Sequence, residues 1–227
     1  ATTQATNNTQ GLIAANGQVS VSASQMTNQN GTIGSVQDAV NVNARTGALD
    51  NTSGHIEAAK TATVAAVGIT NTDGTITGKS LSANSHTQAF NNTRGKLIAS
   101  GTSQADTLNI QSGVFTNTQG GNIISSAAAT ISANSLNNQG GQVQAVGNAD
   151  ITLSDRLNNA GSLIRSGQNL TINAASVTNT NTNTNTNTNT NTNTNANANA
   201  NAQNNHQGLE GQHIALTARH IDNTAGA

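Results

Sequence analysis

The sequence predicts an all-β fold, a parallel β-helix of about ten coils with about 20–22 residues in each. Three observations predict it. A short signal recurs along the chain at an interval near 21 residues. Within each interval, apolar and polar residues alternate with a period of two. The composition is that of a narrow stacked core: Ala, Gly, Ser, Thr, Asn and Gln dominate, aromatics are 1% and Pro and Cys are absent.

The recurring signal begins with an apolar residue followed two positions later by Asn. The pairs are Met26/Asn28, Leu49/Asn51, Ile69/Asn71, Phe90/Asn92, Phe115/Asn117, Leu136/Asn138, Leu157/Asn159, Val177/Asn179 and Ile221/Asn223. Successive apolar members are 23, 20, 21, 25, 21, 21, 20 and 44 residues apart. The last interval reads as two steps of 22. Shortly after the Asn comes a Gly, and two positions on an aliphatic: Gly31/Ile33, Gly54/Ile56, Gly95/Leu97, Gly141/Val143 and Gly161/Leu163 among others. A strand-like run closes the unit, as in Val40-Asn41-Val42-Asn43-Ala44 or Leu170-Thr171-Ile172-Asn173-Ala174.

Period-two alternation sends one set of side chains inward and the other outward. No stretch keeps a helical period. Each unit is therefore expected as strand, turn, strand, turn, with Gly supplying positive φ at a turn and Asn tolerating a tight corner. One unit buries too little to fold alone. Stacked in register about 4.8 Å apart, the units share one core. Ten rungs then make a rod roughly 50 Å long. The Asn at each corner is expected to form a ladder of amide on amide: Asn28, Asn51, Asn71, Asn92, Asn117, Asn138, Asn159, Asn179 and Asn223. Phe90 and Phe115 hold the same place in successive units, so they are expected to stack on each other.

Residues 178–205 interrupt the repeat. Over 178–202 they are simple Thr-Asn and then Ala-Asn alternation, and the tract reads either as an extra coil or as a polar loop. The chain thus divides into repeats over 1–177, the tract over 178–205, and a resumed repeat over 206–227.

Composition also excludes chemistry. Eight Lys+Arg against nine Asp+Glu leave a net charge of -1 and no basic face for nucleic acid. Without Cys there is no disulfide or thiolate metal site. No apolar run approaches a membrane span, and no signal peptide is visible. A start at Ala1 suggests a mature product or an excised fragment. The carboxylates are scattered, and Asp150, Asp155 and Arg156 are their only local grouping. His213 and His220 are expected on opposite sides of one unit. No phosphate-binding loop, nucleophile elbow or calcium-binding nonapeptide occurs. No catalytic, cofactor-binding or metal-binding residue is assigned. Sequons at Asn7, Asn30, Asn51, Asn91 and Asn169 are expected by chance in an Asn/Thr-rich chain.

The unit resembles the haemagglutinin repeat of filamentous haemagglutinin-like two-partner secretion exoproteins. The closest segments are Leu136-Asn137-Asn138-Gln139-Gly140-Gly141-Gln142-Val143-Gln144-Ala145 and Ile214–Asn223. The resemblance covers nearly the whole chain outside the tract, and its motif, though degenerate, recurs about nine times. It implies a right-handed β-helical fibre, secreted or held on the surface of Gram-negative bacteria. It implies an outer-membrane transporter as partner of the full-length parent, and a host glycan or matrix receptor, or a neighbouring bacterium, as target. The function it implies is a structural and adhesive shaft, or the stalk of a contact-dependent growth-inhibition toxin. A β-helical polysaccharide-active enzyme is a more remote reading, and a disordered linker is a fourth.

Overall fold

The computed structural model describes residues 4–44, 46–180 and 207–224. Among these residues all regular structure is β-strand and every strand pairing is parallel. The chain winds as a β-solenoid. Each turn contributes a strand to three stacks, one more than the two strands per unit that the sequence suggests.

The first stack is a nine-stranded sheet running from Leu12–Ala15 through His55–Ala58 and Gln142–Ala145 to Gly208–Glu210. Its central column is Ile13, Ile33, Ile56, Ile76, Leu97, Ile123, Val143, Ile164 and Leu209, each opposite the next. Leu163 is therefore not the core aliphatic of its coil. Ile164 pairs with Val143, and Ser162 holds the place that Gly141 holds one coil earlier.

The second stack begins with Val19–Ala23 and ends with His213–Thr217. Its middle inward column is Val21, Val42, Val64, Ala83, Ile110, Ile131, Ile151, Ile172 and Leu216. The third stack is short, often two residues: Met26–Thr27, Leu49–Asp50, Ile69–Thr70 and their successors. It carries the apolar member of the sequence signal. In Thr107–Thr116 and Ala128–Asn137 the second and third stacks run together as one ten-residue strand.

This geometry explains the composition. Three walls face one another across a space filled by single layers of Ile, Leu, Val and Ala, so there is little room for rings. Where the first stack turns into the second, the inward residue must be small: Ser35, Ala58, Ala99, Ser125, Ala145 and Ser166 sit there. The serines among them also close the turn. Ser166 Oγ donates to the carbonyls of Gly147 and Asn169 at 2.8 and 2.9 Å. The hydroxyls of Ser35, Ser125 and Ser166 are kept at this turn because each has a carbonyl to reach.

The stack has nine rungs in its first sheet and hence eight steps, fewer than the ten coils expected. The reason lies in the 44-residue interval. Val177 pairs directly with Ile221, and Leu170 with Ile214, so that interval is a single step. The Thr-Asn and Ala-Asn tract, expected as coil or loop, falls almost wholly outside the described residues.

Candidate functional site

The most regular constellation is the corner after the third stack. There the structure places Asn28, Asn51, Asn71, Asn92, Asn117, Asn138, Asn159, Asn179 and Asn223 in one column and adds Asn8 before them. In every step the Nδ2 of one Asn donates to the Oδ1 of the next, at 2.7–2.8 Å. The column runs one way, from Asn8 to Asn223.

Asn51 shows why only Asn fits. Its Oδ1 accepts from Asn28, and its Nδ2 donates to Asn71 and to the Gly54 carbonyl at 3.1 Å. Its N–H donates to the Thr70 carbonyl at 2.7 Å, and its own carbonyl accepts from Gly54 N–H. The side chain is fully buried. A stacked amide needs a donor on one side and an acceptor on the other. Asp would put a column of acceptors together, and Gln would not fit the same depth.

The turn glycines serve a purpose different from the one expected. In most coils positive φ falls one residue earlier, on Gln10, Asn30, Ser53, Asp73 and Arg94 at 51–56°, while in three coils a glycine does supply it, Gly120, Gly140 and Gly161 at 60–87°. The glycine itself answers a close approach. A Cβ on Gly54 or Gly141 would land on the backbone carbonyl of the ladder Asn one coil before, Asn28 or Asn117. Ser162 is the exception, and there the residue before it is Gly161, at φ 60°.

A second repeated device lies just outside the ladder. The residue before the ladder Asn caps the turn with its own side chain. Asp50 Oδ1 accepts from the N–H and the hydroxyl of Thr52 at 3.0 and 2.6 Å, and Asn7, Asn91 and Asp222 do the same for Thr9, Thr93 and Thr224. Sequence reasoning missed both this cap and Asn8. Their signals are the triplet Asn/Asp-Asn-Thr, and the Asn8-x-x-Gly11 spacing that survives although Thr6 is not apolar. Of the sequons, Asn51 is sealed in the ladder and Asn91 is committed to a cap.

Phe90 and Phe115 pair in register in the third stack. Their ring centroids are 5.0 Å apart with planes tilted by 37°, and both are fully buried. The separation lies inside the range of about 4.5–7 Å over which aromatic rings attract, with the planes tilted rather than parallel.

The outer surface is polar and sparsely charged. The second stack presents two outward rows. One reads Ser20, Asn41, Thr63, Ser82, Asn109, Thr130, Asp150, Thr171, and the other Ser22, Asn43, Ala65, Asn84, Gln111, Ser132, Thr152, Asn173.

Among the described residues, three of the four ion pairs join neighbouring coils, and His55–Glu57 lies within one strand. Arg94 grips both oxygens of Asp73 at 2.7 and 2.8 Å and reaches Gln119 at 2.8 Å. This holds the Asp73 carboxyl below its usual range and raises the guanidinium above its own. The Ala39 N–H, then Lys60, lower Asp38. The Thr224 hydroxyl and N–H, with His220 beyond, lower Asp222. Asp150, Asp155 and Arg156 take part in none of the four ion pairs found among the described residues. His213 and His220 lie in different stacks, opposite Asn169 and Ser176. Among the described residues no three His, Asp or Glu side chains come together as a metal site, and no helix is long and apolar enough to cross a membrane.

Comparison with protein families, curated proteins and solved structures finds no match for this chain. The parallel β-solenoid class therefore rests on the strand pairing itself.

Proposed function

We infer that this chain is a structural and adhesive shaft segment of a large bacterial surface or secreted protein of the filamentous haemagglutinin type. One observation carries the reading: a rod of nine rungs keyed by an unbroken amide column, whose outer rows repeat Ser, Thr, Asn and Gln from coil to coil. Such a rod acts by length, stiffness and repetition. Each outward hydroxyl or amide contributes a weak hydrogen bond to a glycan or matrix polymer, and repetition along the axis supplies avidity. The parent would leave the cell unfolded through an outer-membrane two-partner transporter, and the coils would then stack outside. A chain without Cys suits such threading.

The test is attachment of beads coated with the chain to cultured host epithelial cells and to Gram-negative bacteria. The reading expects binding that rises steeply with coating density. It expects that binding to vanish in an Ile131→Asp variant, whose core is broken. Equal attachment by intact and broken chains contradicts it.

A further inference from the structure

After the 44 residues from Asn179 to Asn223, the longest step of the column is the 25 residues from Asn92 to Asn117, whose extra residues form the Ser100–Asp106 loop between the first and second stacks. The coil before that step also carries an irregular turn. After Asn84 the chain makes an extra excursion through His86 before reaching Phe90. His86 adopts φ 56°, and its N–H donates to Asn84 Oδ1 at 2.6 Å. The turn is pinned by Ser85 Oγ on the Gln88 carbonyl at 2.8 Å. The two following coils run straight through the same corner as ten-residue strands. The coil after them bends again at Ser154. A cleft of about 560 Å³ lies in this stretch, with the His86 turn at one end and the Ser154 bend at the other.

Four consecutive rungs build the cleft from the same positions. One wall is the outward row Asn84, Gln111, Ser132 and Thr152, paired in register. The other includes Asn134 and Ser154. The floor is Ala133 and Leu153 with Ser112, whose buried Oγ has no hydrogen-bond partner. Three steps of about 4.8 Å give the cleft a length of roughly 14 Å along the axis. Its lining holds no Lys, Arg, Asp or Glu. Amides and hydroxyls both donate and accept, and they recur at each rung.

We propose that this cleft binds a neutral oligosaccharide chain lying parallel to the rod axis. The absence of charge in the lining selects against acidic polysaccharides and phosphates, which need cationic partners. The repeated donor–acceptor wall suits a polymer that presents hydroxyls at regular intervals. Half-buried Ala133 supplies a small apolar patch for the carbon face of a sugar ring. The proposal rests on the adhesive reading of the rod and assigns it a site.

The experiment titrates the full chain with cellohexaose, maltohexaose and laminarihexaose, and with a heparin hexasaccharide for contrast, followed by amide NMR shifts. At least one neutral hexasaccharide is expected to shift the amides of Gln111, Ser132 and Asn134, while heparin leaves them in place. The double variant Gln111→Ala, Asn134→Ala should weaken that binding about tenfold, the worth of two neutral hydrogen bonds. The control Asn41→Ala, Asn43→Ala, on the same face three coils away, should bind as the parent does. No shift with any neutral hexasaccharide, a preference for heparin, or equal loss in both variants overturns the proposal. The shaft reading is judged separately by bead attachment, so one can fail while the other stands.

Discussion

The corner that holds the Asn column and the two other corners of each coil solve the same problem under different rules. All three must turn the chain and leave no buried polar group unpaired. At the Asn corner the solution is one residue type repeated as ten stacked asparagines, each bonded to the next at 2.7–2.8 Å. At the other corners the solution changes from coil to coil. Ser166 closes one turn with its hydroxyl, Asp106 holds the Ser100–Asp106 loop by accepting from Ser103 N–H and Ser80 Oγ, and His86 bends another with a left-handed backbone. The difference teaches where register is set. A column that bonds along its length fixes each coil over the last. The other corners are then free to absorb extra residues, and the candidate cleft arises where they do.

The largest effect should come from filling the tightest approach in the Asn corner. Gly141→Ala pushes a methyl into the Asn117 carbonyl, and backbone cannot yield as a side chain does. A loss of about 3 kcal/mol or more is expected in urea unfolding, at or above the upper end for overpacking. Gly17 sits at another corner with open space around it, and Gly17→Ala should stay within about 0.5 kcal/mol of the parent. Similar losses at the two glycines would erase the comparison.

Next in size is Phe115→Leu, beside the Asn corner. It removes the ring that meets Phe90, worth about 0.5–1.5 kcal/mol beyond burial, and leaves a small void. A loss of about 2 kcal/mol is expected, read from the same unfolding curves.

A third change should act in the opposite direction. Asn179 bonds to Asn223 across 44 residues as other rungs do across 20 or 21. Deleting residues 182–205 restores the 20-residue interval. Shortening the chain between the two rungs from 44 to 20 residues should stabilise the rod by about 0.5–1 kcal/mol. A marked destabilisation would mean that the deleted residues contribute to the stack.

The smallest effect is the response to acid. Asp38, Asp73 and Asp222 are held below their usual value of 3.8 in the folded chain. A depressed carboxyl adds stability above its unfolded value and loses it as pH falls through the folded one. The melting temperature should therefore stay flat from neutral pH down to about 5 and decline slightly only below about 4. These groups are exposed, so the decline should shrink further in salt.

The Asn corner was legible in the sequence because its physics leaves one answer. An apolar residue, an amide two positions on and a nearby glycine recur wherever coils must bond side chain to side chain. The in-register Phe pair followed from the same spacing. What was illegible lay where several answers serve equally. The third stack hid because a two-residue strand has no period of its own. The count of coils came out high because 44 divides evenly by 22, and only pairing shows that Val177 meets Ile221. The shift from Leu163 to Ile164 is invisible in the sequence because both are aliphatic and Gly161 precedes both closely. The cleft left no motif, because the residues that lengthen the interval between Asn92 and Asn117 form the Ser100–Asp106 loop at another corner.

The most direct test of the central claim compares two asparagines eight residues apart. Asn117 is buried in the column, and Asn109 faces outward on the second stack. Thermal melts of Asn117→Ala and Asn109→Ala, followed by far-UV circular dichroism, separate them. Asn117→Ala strands a donor on Asn92 and an acceptor on Asn138, at about 1–3 kcal/mol each. The melting temperature should fall by roughly 5–20 °C, while Asn109→Ala melts with the parent. Equal melts for the two variants would contradict an amide column that sets the register of the rod.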